Sequence, residues 1–153
     1  MPRSISTVIL FFLVMPSAFA TTDSQCDYPG PNIGTEKTSD ASTCAKLCAA
    51  NELCSRWVYV SGWGRCALRK GEIKRRSITM WSAAKGEAPI ENKDHSAKDF
   101  HKAANTADAK ACAKLCEGRE QCTAMTYIAG YRDCYLKTGK GKYRDKIFYC
   151  GTR

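Results

Sequence analysis

The side chains of this 153-residue sequence that could support covalent or metal chemistry include ten cysteines and two histidines. The histidines, His95 and His101, are six positions apart, and neither lies in a hydrolase-like motif with a serine or a free cysteine. The sequence has no phosphate-binding glycine loop, no dinucleotide-binding fingerprint and no metal-binding histidine cluster. We therefore expect solvated linker histidines, no metal or cofactor, and a protein that is not an enzyme.

Eight of the cysteines form two copies of one pattern. Three, five and eleven residues separate the members of the first copy, which are Cys44, Cys48, Cys54 and Cys66. The second copy follows 68 positions later without a gap, at Cys112, Cys116, Cys122 and Cys134. Such self-similarity indicates an internal duplication. Zinc is the alternative to disulfide bonds, but paired short Cys-x-x-Cys spacings are missing, and we expect disulfides.

The start of the sequence has the layout of a cleavable secretory signal peptide. Arg3 precedes an uncharged apolar run at 8–14, and Ala18-Phe19-Ala20 provides a small-x-small cleavage site. The run is shorter than the roughly 20 residues that span a bilayer, although a retained signal anchor is the alternative. We expect residues 1–20 to be removed and the protein to be secreted into an oxidising compartment, where cysteines pair.

Each copy predicts one helix followed by strands. Asp40 and Asp108 are suitable N-caps, because a short carboxylate accepts from the free amides of the first turn. Helices of about ten residues rich in Ala, Lys and Leu follow. Strand patterns occur at 57–60, 66–68 and 77–81 in the first copy, and at 125–128, 134–136 and 146–149 in the second. The predicted fold class is α+β, with one helix on a small antiparallel sheet in each of two modules, 26–84 and 94–150, joined by a linker at 85–93.

The two cysteines of each helix are four positions apart and share one helical face, so both must reach the sheet. A nested arrangement joins the outer cysteines of each copy to one another and likewise the inner ones. The favoured pairs are Cys44–Cys66, Cys48–Cys54, Cys112–Cys134 and Cys116–Cys122, although spacing alone does not establish connectivity.

Each module has a helix with Cys-x3-Cys, a third cysteine a few residues later, an aromatic-rich strand and then Cys-x-Leu-Lys/Arg. This combination resembles the PAN/apple domain family. The resemblance covers both modules, and the run 127–137 is most similar to the two-apple-domain microneme lectins of apicomplexan parasites. It implies a secreted lectin that binds galactose or N-acetylgalactosamine on host cells and is stored in micronemes before release. Because single sugar sites are weak, we also expect a non-covalent homodimer that gains avidity.

Apple domains usually carry a further bridge between their first and last strands. The first copy has Cys26 but Ser82 in place of the partner, whereas the second has Cys150 but Asp94 in place of the partner. The resemblance therefore implies a Cys26–Cys150 bridge that holds the modules face to face. An intermolecular bridge between two chains is the alternative.

A galactose site needs an aromatic platform for the apolar sugar face and a few fixed polar groups for neighbouring hydroxyls. The second copy offers Tyr131 and Asp133 around one turn, and the other candidates are Tyr127, Lys137 and Glu120. The first copy has Trp63 at the position of Tyr131, but Arg65 replaces the carboxylate of Asp133. We expect the sugar in the second copy. The alternative for Tyr127 is a buried position in a strand, and the alternative for Asp133 is a role in forming the turn.

The formal net charge of +9 suggests acidic partners. Lysines and arginines cluster at 70–76 and at 140–146, and an extended strand would place Lys142, Arg144 and Lys146 on one face. Sulfated glycosaminoglycans are therefore an alternative ligand, and a partner ectodomain is a second alternative. We do not expect nucleic acid as a partner, and we do not expect a membrane-spanning segment in the mature chain.

Overall fold

The computed structural model describes residues 22–153, so the predicted leader at 1–20 lies outside the described residues. The helices are α1 (Ala41–Ala50) and α2 (Ala109–Glu117). The strands of the first half are β1 (Thr22–Ser24), β2 (Cys26–Asp27), β3 (Asn32–Lys37), β4 (Arg56–Val60), β5 (Arg65–Arg69), β6 (Arg76–Ser77) and β7 (Thr79–Ala84). Those of the second half are β8 (Ile90–Glu91), β9 (Lys93–His95), β10 (Lys98–Ala103), β11 (Ala124–Ala129), β12 (Asp133–Thr138), β13 (Tyr143–Asp145) and β14 (Phe148–Thr152).

Both helices begin where the sequence predicts. The side chain of Asp40 accepts from the Thr43 backbone N–H at 2.7 Å, and that of Asp108 accepts from the Ala111 N–H at 2.8 Å. Each carboxylate thus satisfies an amide that has no partner inside the helix. None of the helices in the described part of the chain is long and apolar enough to cross a membrane.

Two five-stranded antiparallel sheets form the body of the protein. The first has the order β1-β14-β4-β5-β3 and the second the order β10-β12-β11-β7-β8. Each helix covers one face of one sheet, where its cysteines join a cluster that includes Trp57 and Leu68 in the first module and Met125 and Leu136 in the second. This arrangement confirms the α+β fold with two disulfide-stapled modules.

The two modules exchange their last strands, which differs from the expectation that each copy completes its own sheet. Strand β14, at the end of the second copy, pairs with β4 of the first, and β7, at the end of the first, pairs with β11 of the second. The smaller pairs of β2 with β6 and β9 with β13 lie beside these exchanges. Neither sheet is complete without the other half of the chain.

Two glycines permit the exchange. Gly62 has a φ of +70°, and a Cβ there would overlap the backbone oxygen of Asp145. Gly130, 68 positions later, has a φ of +87°, and a Cβ there would overlap the backbone oxygen of Ser77. Only glycine combines a positive φ with such a close backbone approach, so the exchanged segments explain why both copies have glycine at this turn.

Five disulfides staple the described chain, and no cysteine in that part of the protein is free. Each module has the nested arrangement, with Cys44–Cys66, Cys48–Cys54, Cys112–Cys134 and Cys116–Cys122. The fifth bridge is Cys26–Cys150, formed within the chain across a sequence separation of 124. The bridge joins β2, near the start of the first copy, to β14, which lies in the sheet of the first module.

Hydrogen bonds occupy the corresponding place in the second module. Ser82 and Asp94, equivalent to Cys150 and Cys26, lie on either side of Thr126, and all three are buried. The Ser82 hydroxyl is 3.1 Å from the Thr126 hydroxyl, which donates to Asp94 Oδ1 at 3.0 Å. The polar substitutions are therefore satisfied where the other module has its bridge.

Candidate functional site

The sheet faces that carry no helix turn toward each other and enclose a cleft between the modules. Val58, Val60 and Phe148 of the first sheet pack in one apolar cluster with Met80, and Ile128 lies against it. Beyond this contact the two sheets diverge around two cavities, which we call the first and second cavities of the inter-module cleft.

The first cavity, of about 390 Å³, brings together equivalent residues of the two copies. Trp63 and Arg65 from the turn before β5 lie in its wall, and so do Tyr131 and Asp133 from the turn before β12. The sequence suggested two separate turns, one in each module. The structure shows instead that both turns line one cavity, because the helix-free faces oppose each other.

Tyr131 is held by residues of the first module. Its ring lies under the Arg76 guanidinium, 4.7 Å from centroid to Cζ, and its hydroxyl donates to Asp27 Oδ2. Burial and the hydrogen bond to Asp27 raise the pKa of Tyr131 to about 12. Tyr131 as a whole residue is 36% exposed, so part of it remains accessible to a ligand.

Asp133 lies at the start of β12 with its side chain 15% exposed. Lys102 Nζ is 2.7 Å from Asp133 Oδ2, and the hydrogen bond from Lys102 raises the pKa of that lysine. Asp133 lines the first cavity, and its pair with Lys102 leaves Oδ1 as the oxygen that could accept from a sugar hydroxyl.

The second cavity, of about 460 Å³, is the counterpart of the first on the second sheet. The two cavities share three wall residues, Trp63, Ile128 and Tyr135. The second cavity has Lys137 at the position that Arg69 occupies in the first. Its other charged or titratable wall residues are Asp94, His95, Lys98, Asp99 and Arg144.

Trp63 separates the cavities and has an unusual support. Lys146 Nζ lies 4.4 Å from the centre of its ring, and Lys146 is fully buried with no hydrogen-bond partner for its ammonium. Burial lowers the pKa of Lys146 to about 8. The cation–π contact holds the indole from below, while 46% of Trp63 remains exposed at the cleft.

The five residues predicted to bind sugar do not form one site. Tyr131 and Asp133 share the first cavity, and Lys137 lines the second. Tyr127 is buried, and its hydroxyl donates to the carbonyls of Thr106 and Ala107 at 3.2 Å each, which fits the structural role considered for it. Glu120 lies in a shallow surface depression with Arg119 and Gln121.

Two other expectations require correction. Lys146 does not share an exposed face with Lys142 and Arg144, because it is buried under Trp63. His95 is not a solvated linker residue: it is 7% exposed on β9, with its ring edge-on to Tyr143 at 5.4 Å. Burial and nearby Lys137 lower the pKa of His95. Neither position carried a sequence signal, because residues distant in the sequence form both environments.

Comparison with family models matches two PAN domains, at residues 26–72 and 89–149. The two matches fall on the two modules and together cover more than half of the chain. This chain belongs to the PAN domain family. No curated protein matches it. PAN domains are binding modules for proteins or carbohydrates and are typically not enzymes, and residues 22–153 contain no cluster of side chains suited to a metal ion.

Proposed function

We propose that this PAN protein is a galactose- or N-acetylgalactosamine-type lectin whose sugar site is the first cavity of the inter-module cleft. The observation that carries the proposal is the convergence of Trp63, Tyr131 and Asp133 on one cavity. Exposed aromatic surface suits the apolar face of galactose. The Asp133 carboxylate can accept from a sugar hydroxyl through Oδ1, the oxygen that is not paired with Lys102.

The size and lining of the cavity support a saccharide more than a protein partner. About 390 Å³ lies in the range of small-ligand sites. The Tyr131–Asp133 turn borders a concave space, whereas a protein-binding module would be expected to present it on a flat apolar surface. A partner ectodomain remains the second candidate function, because PAN domains also bind proteins.

Five disulfides and two PAN domains suggest an extracellular protein. We propose secretion, attachment to host-cell glycans and storage in micronemes, following the resemblance of the run 127–137. A non-covalent homodimer would present two sugar sites to one surface and raise avidity.

The test is retention of the oxidised protein, without its leader, on immobilised galactose with elution by lactose. Asp133→Asn keeps the shape of the side chain but removes its charge and one acceptor, so we expect retention to be lost. Glu120→Gln is the matched control, because this carboxylate lies outside the cleft. Unchanged folding of both variants is checked by near-ultraviolet circular dichroism.

Other outcomes are equally informative. Retention that survives Asp133→Asn but disappears in Glu120→Gln would move the site to the surface depression. Absence of retention by the folded wild-type protein would contradict the galactose proposal and favour a protein partner. Retention on immobilised heparin that is lost at moderate salt, without retention on galactose, would indicate a sulfated glycosaminoglycan ligand instead.

A further inference from the structure

The carboxylates of the second cavity already have partners within the protein. Asp99 Oδ1 is 2.6 Å from Lys137 Nζ. Asp94 Oδ1 accepts from Thr126 and lies 3.4 Å from the same ammonium. These contacts engage the Oδ1 atom of each carboxylate and place one ammonium against their two negative charges.

Two cations of the same cavity are available to a ligand. Lys98 is exposed and forms no ion pair within residues 22–153. The Arg144 side chain is 45% exposed, and its Nη2 is 3.8 Å from Asp94 Oδ2, which is too long for a hydrogen bond. The wall of this cavity therefore has three cations, Lys98, Lys137 and Arg144, against two carboxylates, and this excess of positive charge suits a ligand that carries negative charge.

The position of this cavity next to the first defines what the ligand could be. Trp63 and Tyr135 belong to the walls of both cavities. A saccharide unit in the first cavity can therefore extend past these two rings into the second without leaving the cleft. Aromatic surface between two polar regions suits a chain of sugar rings.

We propose that the second cavity is a subsite for an anionic saccharide unit, bearing a carboxylate or a sulfate ester and linked to the galactose-type unit in the first cavity. The inference rests on the proposed function. The Arg144 guanidinium can present two parallel N–H donors to a carboxylate or sulfate, and Lys98 adds a second positive charge.

The experiment compares the affinities of lactose, sialyl-lactose and sulfo-lactose for the full mature protein by titration calorimetry. We expect at least one of the acidic sugars to bind about tenfold more tightly than lactose, as one charge-assisted hydrogen bond would provide. A preference for sialyl-lactose identifies a carboxylate as the recognised group, and a preference for sulfo-lactose identifies a sulfate.

The double variant Lys98→Gln/Arg144→Gln should bind acidic and neutral sugars within about twofold of each other, with its lactose affinity unchanged. The double variant Lys46→Gln/Lys74→Gln is the control, because it removes two exposed charges outside the cavity. This control variant should keep the preference for acidic sugars over lactose, since only groups that touch the ligand distinguish its charge.

Several results would overturn the inference. Equal wild-type affinity for lactose and both acidic sugars contradicts the anionic subsite while the lectin proposal stands. A preference that survives Lys98→Gln/Arg144→Gln, or that the control also loses, shows that the second cavity is not its source. Binding of none of the three sugars contradicts both proposals. Acidic-sugar binding that depends on Arg144, without lactose binding, supports the subsite and contradicts the galactose proposal.

Discussion

Replacing Lys146 by methionine should stabilise the protein near neutral pH. Lys146 is fully buried, its ammonium has no hydrogen-bond partner, and its pKa falls from 10.5 to about 8. A buried charge without such a partner is unfavourable. Methionine has a similar unbranched shape and carries no charge, so it can fill the same space beneath Trp63.

The magnitude follows from the pKa values of the folded and unfolded states. A folded-state pKa below the unfolded value means that the unfolded chain binds more protons between about pH 8 and 10.5, so stability rises with pH across that window. The full shift corresponds to about 3 kcal/mol of destabilisation below pH 8. Methionine carries no charge at any pH, so Lys146→Met should recover most of this, about 2 to 3 kcal/mol at pH 7.

The assay is urea unfolding at pH 7 and pH 9 with the disulfides intact. Between these pH values the wild type should gain about 1 to 1.5 kcal/mol relative to Lys146→Met, since its buried lysine deprotonates. Lys142→Met is the control, because Lys142 is exposed on the same segment and its loss should have little effect at either pH. A free-energy difference between wild type and Lys146→Met that is the same at both pH values would refute the reasoning.

Two further predictions concern the exchanged strands. Gly62→Ala should destabilise the protein by about 3 kcal/mol or more in urea unfolding, because it combines a positive φ with overlap on Asp145 O. Gly71→Ala is the control, because φ there is +84° but no atom lies within 4 Å of the added Cβ. Its free energy of unfolding should fall by only about 1 kcal/mol. Equal losses in the two variants would contradict the close approach at Gly62. The double variant Ser82→Cys/Asp94→Cys should form a sixth disulfide at the position equivalent to Cys26–Cys150. Thiol titration of the unfolded variant should then find no free thiol, whereas two free thiols would show that the second module does not reproduce this geometry.

Local sequence was sufficient for the elements that local interactions stabilise. The helix starts at Asp40 and Asp108 were predictable, because an N-cap acts within one turn. The nested disulfides were the favoured arrangement, because the two cysteines of each helix share one face, and the structure established the pairs. The complementary losses at Ser82 and Asp94 also indicated a bridge between the first and last cysteines once the family pattern was considered.

The candidate site was only partly predictable. Tyr131 and Asp133 were selected by residue type within one turn, and they do line one cavity. Trp63 was assigned to a separate turn, yet it lies in the wall of the same cavity. The environments of His95 and Lys146 had no local signature, since residues distant in sequence surround both.

The sequence did not predict the edge strands β3 and β10, and it favoured the cysteine pairs without establishing them. It did determine that there are two modules, each with one helix, and that β4, β5, β11 and β12 follow these helices. Those properties depend on spacing along the chain. Tertiary structure decided which sheet receives each last strand, because the copies are homologous and either strand has a pattern that suits either sheet. That exchange, closed by Cys26–Cys150, turns the helix-free faces toward each other. The inter-module cleft therefore exists only in the folded chain, since its walls come from segments that no local pattern connects.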